Sequence, residues 1–271
     1  MIIGKKEFDL DNNCYVMGIL NFTPDSFSDG GKFNNMDSAL KRVEQMINDG
    51  MDIVDIGGES TRPNYTRISD DEEIFRIAPV IEAVKQRFDI PVSLDTYKYK
   101  VAEAGIQAGA DLINDIWGLK YDDEQMASLI AENNLPCCLM HNRSNQDYTC
   151  FMDDIISDMK QTINIALKSG IAKDNIILDV GVGFAKSYEN NLEAIDRIDC
   201  FRESLGYPVL LGTSRKSVIG LTLDLPSDQR TEGTIATTVA GVMKGVSMVR
   251  VHDVKENVRA VKMTLAIMKG Y

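Results

Sequence analysis

The sequence predicts an α/β protein whose strands close into a (β/α)8 barrel, the TIM-barrel architecture. Apolar runs rich in Val, Ile and Leu alternate with amphipathic segments, eight times along the chain. Such runs are typical of parallel strands that are buried on both faces. The length of 271 residues suits a barrel of this type, which commonly forms one domain of about 250 residues. A doubly wound open sheet is the alternative that the same pattern allows.

A short β-hairpin precedes the alternation and is expected to cap one end of the barrel. Its strands are predicted at residues 2–3 and 8–10. We therefore interpret the whole chain as one domain that consists of an N-terminal hairpin (1–13) and the barrel (14–271).

Each predicted strand is short and apolar, and a helix follows it. The strands are predicted at 15–21, 52–58, 91–96, 111–116, 136–141, 175–181, 208–213 and 248–253. The helices, with apolar residues at helical spacing, are predicted at 36–49, 70–88, 99–108, 123–133, 152–168, 188–205, 232–244 and 254–269. Acidic residues fill the first turn of the second helix, where they complement the helix dipole.

The composition argues against several classes of function. A formal net charge of −12 disfavours non-specific binding to nucleic acid or to an anionic membrane. Five cysteines without a Cys-x-x-Cys pair are typical of reduced thiols in the cytoplasm. The first ten residues lack the apolar core of a signal peptide, and no apolar run is long enough to span a bilayer. We expect a cytoplasmic protein with neither a nucleic-acid nor a membrane partner.

Acidic and amide side chains lie near the carboxyl ends of three predicted strands, the end at which TIM barrels carry their chemistry. These are Asp95, Asn114 and Asp179, each within apolar sequence. A carboxylate in such a place is costly unless a donor meets it. A heterocycle with several N–H groups would satisfy all three. Internal pairing, for example with Lys216, is the alternative.

Basic side chains follow other strand ends. Arg62 lies after the second strand, and Arg250 and His252 lie two residues apart on the eighth. Guanidinium groups match phosphate oxygens. Asn21, at the end of the first strand, offers a carbonyl oxygen for Mg²⁺ beside a phosphate. The sequence therefore predicts an anion site next to the acidic one, with a purely structural His252 as the alternative.

Common cofactor motifs are not complete in this sequence. Gly181-Val-Gly183 lacks the third glycine of a dinucleotide fingerprint, because Lys186 stands at that position. The seventh strand leads into two adjacent cations, and Arg215 replaces the glycine that precedes the lysine of a Walker A motif. The role of Arg215 is left open.

Taken together, the motifs resemble the dihydropteroate synthase family over nearly the whole chain. They are 17–31 (MGILNFTPDSFSDGG), 55–63 (DIGGESTRP), 93–96 (SLDT), 113–115 (IND), 139–141 (LMH), 179–184 (DVGVGF), 212–216 (GTSRK) and 250–253 (RVHD). The first two are long and specific. The resemblance implies an enzyme of folate biosynthesis that condenses 6-hydroxymethyl-7,8-dihydropterin diphosphate with p-aminobenzoate to give 7,8-dihydropteroate and pyrophosphate.

The resemblance also implies roles for matching residues. Those at the pterin ring, where the arginine stacks, are Asp95, Asn114, Ile116, Met140, Asp179, Lys216 and Arg250. Those at the diphosphate, with Mg²⁺ on the asparagine, are Asn21, Arg250 and His252. Those that border the p-aminobenzoate site, which sulfonamides occupy, are Thr61, Pro63, Phe184, Ser214 and Lys216. Family members are generally homodimers through late helices.

The chemistry expected from these substrates is a dissociative substitution. The pterin ring can support a cation at its methylene carbon while the diphosphate leaves, and Mg²⁺ with the basic side chains would stabilise the leaving charge. Asp25, on the loop after the first strand, is expected to support the cation. The predicted catalytic residues are Asp25, Arg62, Lys216, Arg250 and His252.

Two other functions fit part of the pattern. A corrinoid-linked methyltetrahydrofolate methyltransferase resembles this family in its barrel and pterin site, but it has no diphosphate to hold. A non-catalytic pterin-binding paralogue is the second alternative, although all the expected site residues are present in this chain.

Overall fold

The computed structural model describes residues 1–22, 32–59 and 67–270, with the side chains of 32–35 excepted. The strands are β1 (Ile2–Ile3), β2 (Lys6–Glu7), β3 (Tyr15–Asn21), β4 (Ile53–Gly57), β5 (Val92–Asp95), β6 (Leu112–Asp115), β7 (Cys137–Met140), β8 (Ile176–Asp179), β9 (Val209–Leu211) and β10 (Met248–Val251). The helices are α1 (Lys32–Asn48), α2 (Asp70–Arg87), α3 (Tyr99–Gln107), α4 (Gln125–Glu132), α5 (Phe151–Lys168), α6 (Tyr188–Asp196), α7 (Ile198–Leu205), α8 (Ser217–Leu223), α9 (Thr231–Met243) and α10 (Val254–Lys269).

Strands β3 to β10 form a closed parallel barrel in sequence order, and β10 pairs back onto β3. This confirms the predicted (β/α)8 class and excludes the open sheet. The parallel register sets which polar residues are neighbours: Asp95 lies opposite Asn114, and Met140 lies opposite Asp179. Helices pack around the barrel over one continuous apolar core.

The N-terminal hairpin caps the barrel, but its second strand was predicted in the wrong place. Strand β2 is Lys6–Glu7, paired antiparallel with β1, and not 8–10. Residues 8–10 are apolar for another reason: Phe8 and Leu10 are buried inside the barrel. With Ile3 they pack on a layer of inward-facing strand residues, namely Met17, Ile53, Leu112, Cys138, Ile177, Leu210 and Met248.

Local backbone signals explain where two helices begin. Ser69 caps α2, because its side-chain oxygen accepts a hydrogen bond from the backbone N–H of Glu72 at 3.2 Å. Helix α4 begins at Gln125, later than predicted. Asp123 and Glu124 have φ of 50° and 72°, which the right-handed helix does not allow.

Two features of the helical layer differ from the prediction. The segment predicted as one helix at 188–205 is two helices, because Arg197 leaves the helical region at φ −107° and ψ 26°. Both helices bury side chains, namely Asn191, Ala194 and Ile195 on α6 and Ile198 and Phe201 on α7. Helix α8 was not predicted, because seven residues are too few for a periodic signal.

The part of the chain that the structure describes contains no helix that is both long and apolar enough to cross a membrane.

The hairpin offers a matched test of this cap. Ile2 and Ile3 are adjacent in β1, but Ile2 is 66% exposed and Ile3 is fully buried. We expect Ile3→Ala to lower the free energy of unfolding by about 2 to 5 kcal/mol, because it leaves a cavity among packed side chains. Ile2→Ala should change it by less than about 0.5 kcal/mol. Urea unfolding followed by circular dichroism measures both, and equal losses would contradict the placement of Ile3 inside the barrel.

Candidate functional site

An arginine between two buried carboxylates lies at the carboxyl end of the barrel. Arg250 Nε donates to Asp55 Oδ2 at 2.6 Å, and its Nη2 donates to Asp95 Oδ2 at 2.5 Å. Asp55 also accepts a hydrogen bond from Ser93 Oγ at 2.5 Å, and the side-chain amide of Asn114 lies 3.4 Å from it. Strands β4 and β5 therefore meet β10 at one guanidinium group, and β6 joins them through the contact of Asn114 with Asp55.

Asp55 was not among the predicted site residues, although its signal was present. It is a carboxylate within an apolar strand, the pattern that identified Asp95, and it is fully buried.

Asp95 has unused hydrogen-bonding capacity. Its Oδ1 is buried and has no hydrogen-bond partner within the described residues. Burial raises the pKa of Asp95 to about 7; the Arg250 charge opposes this and the Asp55 charge adds to it. The pKa of Arg250 lies above its usual value: burial lowers it, but the charges of Asp55 and Asp95 outweigh that effect. The arginine therefore stays charged, and the carboxylate is suited to accept an N–H donor.

Asp179 and Lys216 form the opposite side of the mouth. Asp179 Oδ1 accepts a hydrogen bond from the backbone N–H of Gly181 at 2.7 Å, and burial raises its pKa although Lys216 opposes the shift. Burial lowers the pKa of Lys216 to about 8, against the attraction of Asp179. Lys216 Nζ donates to Val182 O at 2.5 Å and lies 4.8 Å from the centre of the Phe184 ring.

An apolar wall stands beside these charges. Tyr97, Ile116 and Met140 are buried together, and Trp117 and Phe184 pack against them. The structure thus brings the predicted Ile116, Met140 and Phe184 into one cluster. A flat ring would find apolar contacts here and polar partners at Asp95 and Asp179.

The predicted anion residues lie on adjoining strand ends. His252 Nδ1 is 3.0 Å from Ser214 Oγ, which also accepts a hydrogen bond from the His252 backbone N–H at 3.1 Å. Ser214, predicted at the p-aminobenzoate site, thus contacts His252. Asn21 is half-buried at the end of β3. The cation whose role was open, Arg215, pairs with Asp253 through Nε at 3.0 Å and Nη2 at 2.5 Å.

Four predicted site residues lie outside the described residues: Asp25, Thr61, Arg62 and Pro63.

A buried ion-pair network, also missed from the sequence, lies behind the end of β4. Lys98 Nζ donates to Glu59 Oε2 and to Glu73 Oε2, both at 2.8 Å. It also donates to Ile68 O at 2.9 Å, while the Ile68 N–H donates to Glu59 Oε2. No short motif could have signalled this network, because its members come from separate elements.

Comparison with known proteins identifies the family. Residues 17–252 match the sequence model of the pterin-binding enzymes. The chain is 60% identical over 270 residues to a dihydropteroate synthase from Clostridium beijerinckii, with 99% of this chain and 100% of that protein covered. It is 52% identical over 253 residues to the dihydropteroate synthase of Bacillus subtilis, with 93% and 88% covered.

Solved structures show the same similarity. A Clostridium difficile dihydropteroate synthase in the presence of pteroic acid superposes with a TM-score of 0.94 at 49% identity, covering 97% of this chain and 100% of that one. A Yersinia pestis dihydropteroate synthase with a sulfonamide drug complex has a TM-score of 0.92 at 39% identity, covering 100% and 99%. The chain belongs to the dihydropteroate synthase family of pterin-binding enzymes.

Proposed function

We propose that this chain condenses 6-hydroxymethyl-7,8-dihydropterin diphosphate with p-aminobenzoate and releases pyrophosphate. The observation that carries the proposal is the barrel mouth, where buried hydrogen-bond acceptors lie directly beside a charged arginine. The substrate has the complementary arrangement, with N–H groups on the pterin ring and negative charge on the diphosphate. The family relationship supports the same reaction.

The pterin ring is proposed to bind between the carboxylates and the apolar wall. Asp95 Oδ1 has no donor among the described residues, and a ring N–H or amino group would supply one. Asn114 and Asp179 would accept or donate at neighbouring positions of the ring, and Met140 would pack against its face. Arg250, held by two carboxylates, is fixed where its plane can stack on the ring.

The diphosphate is proposed to bind beside Arg250 and His252, with Arg62 as a further cation. Within the described residues no group of three or more His, Cys, Asp or Glu side chains is arranged to hold a metal ion. A lone amide oxygen such as that of Asn21 suits Mg²⁺, which keeps several waters and partners phosphate oxygens. When bound, the ion would supply positive charge that stabilises the leaving diphosphate.

The reaction needs positive charge beside the leaving diphosphate and shielding from water around the methylene carbon. The bond between the methylene carbon and the diphosphate oxygen breaks, and the arylamine nitrogen then bonds to that carbon and loses a proton. Lys216 contacts both Val182 O and the Phe184 ring, so it lies between the pterin acceptors and the proposed arylamine position. Ser214 would orient His252 for the leaving group. Asp25 is proposed to support the developing cation.

Pyrophosphate release separates the proposed synthase from the two other candidate functions. With the pterin diphosphate, p-aminobenzoate and Mg²⁺, we expect pyrophosphate and dihydropteroate to form in equal amounts. A methyltransferase-like protein would bind the pterin and form no dihydropteroate, and a non-catalytic paralogue would do the same. Transfer of a methyl group from methyltetrahydrofolate to a corrinoid would distinguish those two. Absence of dihydropteroate would overturn the proposal.

The pKa of Asp95 predicts how pterin binding depends on pH. The free carboxyl titrates near pH 7, and N–H donors of the ligand prefer its ionised form. Affinity should therefore rise with pH up to about 7, by at most tenfold per pH unit, and then level off, because binding releases one proton below that point. Calorimetric titration with a pterin that lacks the diphosphate measures this. Asp95→Asn should bind more weakly and without this slope; a slope that persists in the variant would contradict the assignment.

We further propose that the chain forms a homodimer through α9 and α10. Met243, Met263 and Ile267 are each more than 60% exposed on these adjacent helices, and apolar side chains grouped on a surface mark contact sites. Light scattering after gel filtration should give twice the chain mass of 30.1 kDa.

The double variant Met263→Glu/Ile267→Glu should be monomeric, because it would place charges in the contact. Leu167→Glu, on α5 and 44% exposed, should remain dimeric. A monomeric native chain, or a dimeric double variant, would rule out this surface.

A further inference from the structure

Lys186 occupies the position at which the dinucleotide motif would have its third glycine, and it points into the protein. The residue is 6% exposed, unusually buried for a lysine. Its Nζ donates to the backbone oxygen of Phe184 at 3.1 Å and lies 2.9 Å from His141 Nδ1. None of the steps proposed above uses it.

The partners of His141 fix the direction of the hydrogen bonds. His141 Nε2 lies 3.0 Å from Asp158 Oδ2, and Arg143 Nε donates to the same oxygen at 2.5 Å. Burial lowers the pKa of His141 to about 4, so the ring is neutral near pH 7. Nε2 then carries the proton for Asp158, and Nδ1 accepts from Lys186. The His141 ring thus accepts a hydrogen bond from Lys186 and is itself held by Asp158 on α5.

Lys186 anchors a strained turn. Ala185 has a φ of 46°, in a region that residues with a side chain rarely adopt, whereas Gly181 and Gly183, at 73° and 87°, adopt it without strain. A Cβ atom on Gly181 would lie 2.1 Å from His141 O, so the turn packs directly on the end of β7. Such a backbone needs contacts outside itself to hold one conformation, and the bond from Lys186 to Phe184 O is one of them.

This turn carries two contacts of the mouth. Val182 O accepts the hydrogen bond from Lys216, and the Phe184 ring packs on the apolar wall and against the Lys216 cation. The front of the turn therefore faces the site, while Lys186 holds it from the back.

We propose that Lys186 is a positioning residue, which acts through the carbonyl of Phe184 to fix the aromatic wall on the arylamine side of the mouth. The inference rests on the proposed function, which places p-aminobenzoate beside Phe184 and Lys216. Burial lowers the pKa of Lys186 to about 7; Asp179 and Asp158 oppose this, and Lys216 and Arg143 add to it. An apolar side chain of equal length would avoid that desolvation cost, so packing alone does not require a lysine.

The test compares three substitutions in the full-length chain. Lys186→Met keeps the length and removes the donor. Lys186→Gln keeps a donor that can reach toward Phe184 O. Lys120→Met is the matched control, because Lys120 also contacts α5, by donating to Asp158 O at 2.9 Å, and forms no hydrogen bond to the turn among the described residues.

Steady-state kinetics should give different results for the two substrates. For Lys186→Met we expect KM for p-aminobenzoate to rise about tenfold or more, with KM for the pterin diphosphate changed less than about twofold. Lys186→Gln should recover part of the loss, and Lys120→Met should match the native chain.

Several outcomes would overturn the inference. One is an unchanged KM for p-aminobenzoate in Lys186→Met; another is an equal rise in both KM values, which indicates general loosening of the site. Thermal unfolding reports whether each variant is folded. If Lys186→Met does not fold, the Gln variant decides, since it too must raise KM for p-aminobenzoate selectively. A native chain that releases no pyrophosphate would instead refute the proposed function itself.

Discussion

The ion pairs of Arg250 with Asp55 and Asp95 are the constraint on which the rest of the site depends. A closed barrel excludes water from its interior, so a charge placed there must be met by partners. Asp55 is fully buried and receives donors from Ser93 and Arg250. Asp95 accepts a hydrogen bond from Arg250 through Oδ2, and its Oδ1 has no hydrogen-bond partner among the described residues. The difference supports separate proposed roles for the two carboxylates: Asp55 would fix the arginine, and Asp95 would keep an acceptor for a ligand.

The barrel can place charges at one end because apolar side chains fill the other. Ile3, Phe8 and Leu10 close the amino end of the strands on a layer that includes Met17 and Leu210. Two residues further along β4 and β6 the inward-facing side chains become polar, since Asp55 follows Ile53 and Asn114 follows Leu112. Strand register couples the two ends, because a shift of one residue would exchange every inward and outward side chain.

The barrel could be predicted from the sequence because its strands are buried on both faces, which leaves a simple apolar signal. Contacts between distant segments could not. Residues 8–10 were interpreted as a strand because burial inside a barrel and pairing in a hairpin both favour apolar residues. Helix α8 was too short to detect, and no turn or breaker residue in the sequence marked the break at Arg197. At the site, the sequence pointed to Asp95, whereas Asp55 gave the same signal and was overlooked.

The sequence also did not show which of its cations already have partners. The structure distinguishes them by the hydrogen bonds that each one forms. An ammonium group has three donors, and Lys98 uses all three on Glu59, Glu73 and Ile68. Both Nε and Nη2 of Arg215 are directed at Asp253. Lys216 has one hydrogen bond, to Val182 O, among the described residues. Lys216 keeps donors for a ligand beside Asp179, whereas Arg215 is already engaged in an ion pair with Asp253. This difference supports placing Lys216, rather than its neighbour in the sequence, in the proposed site.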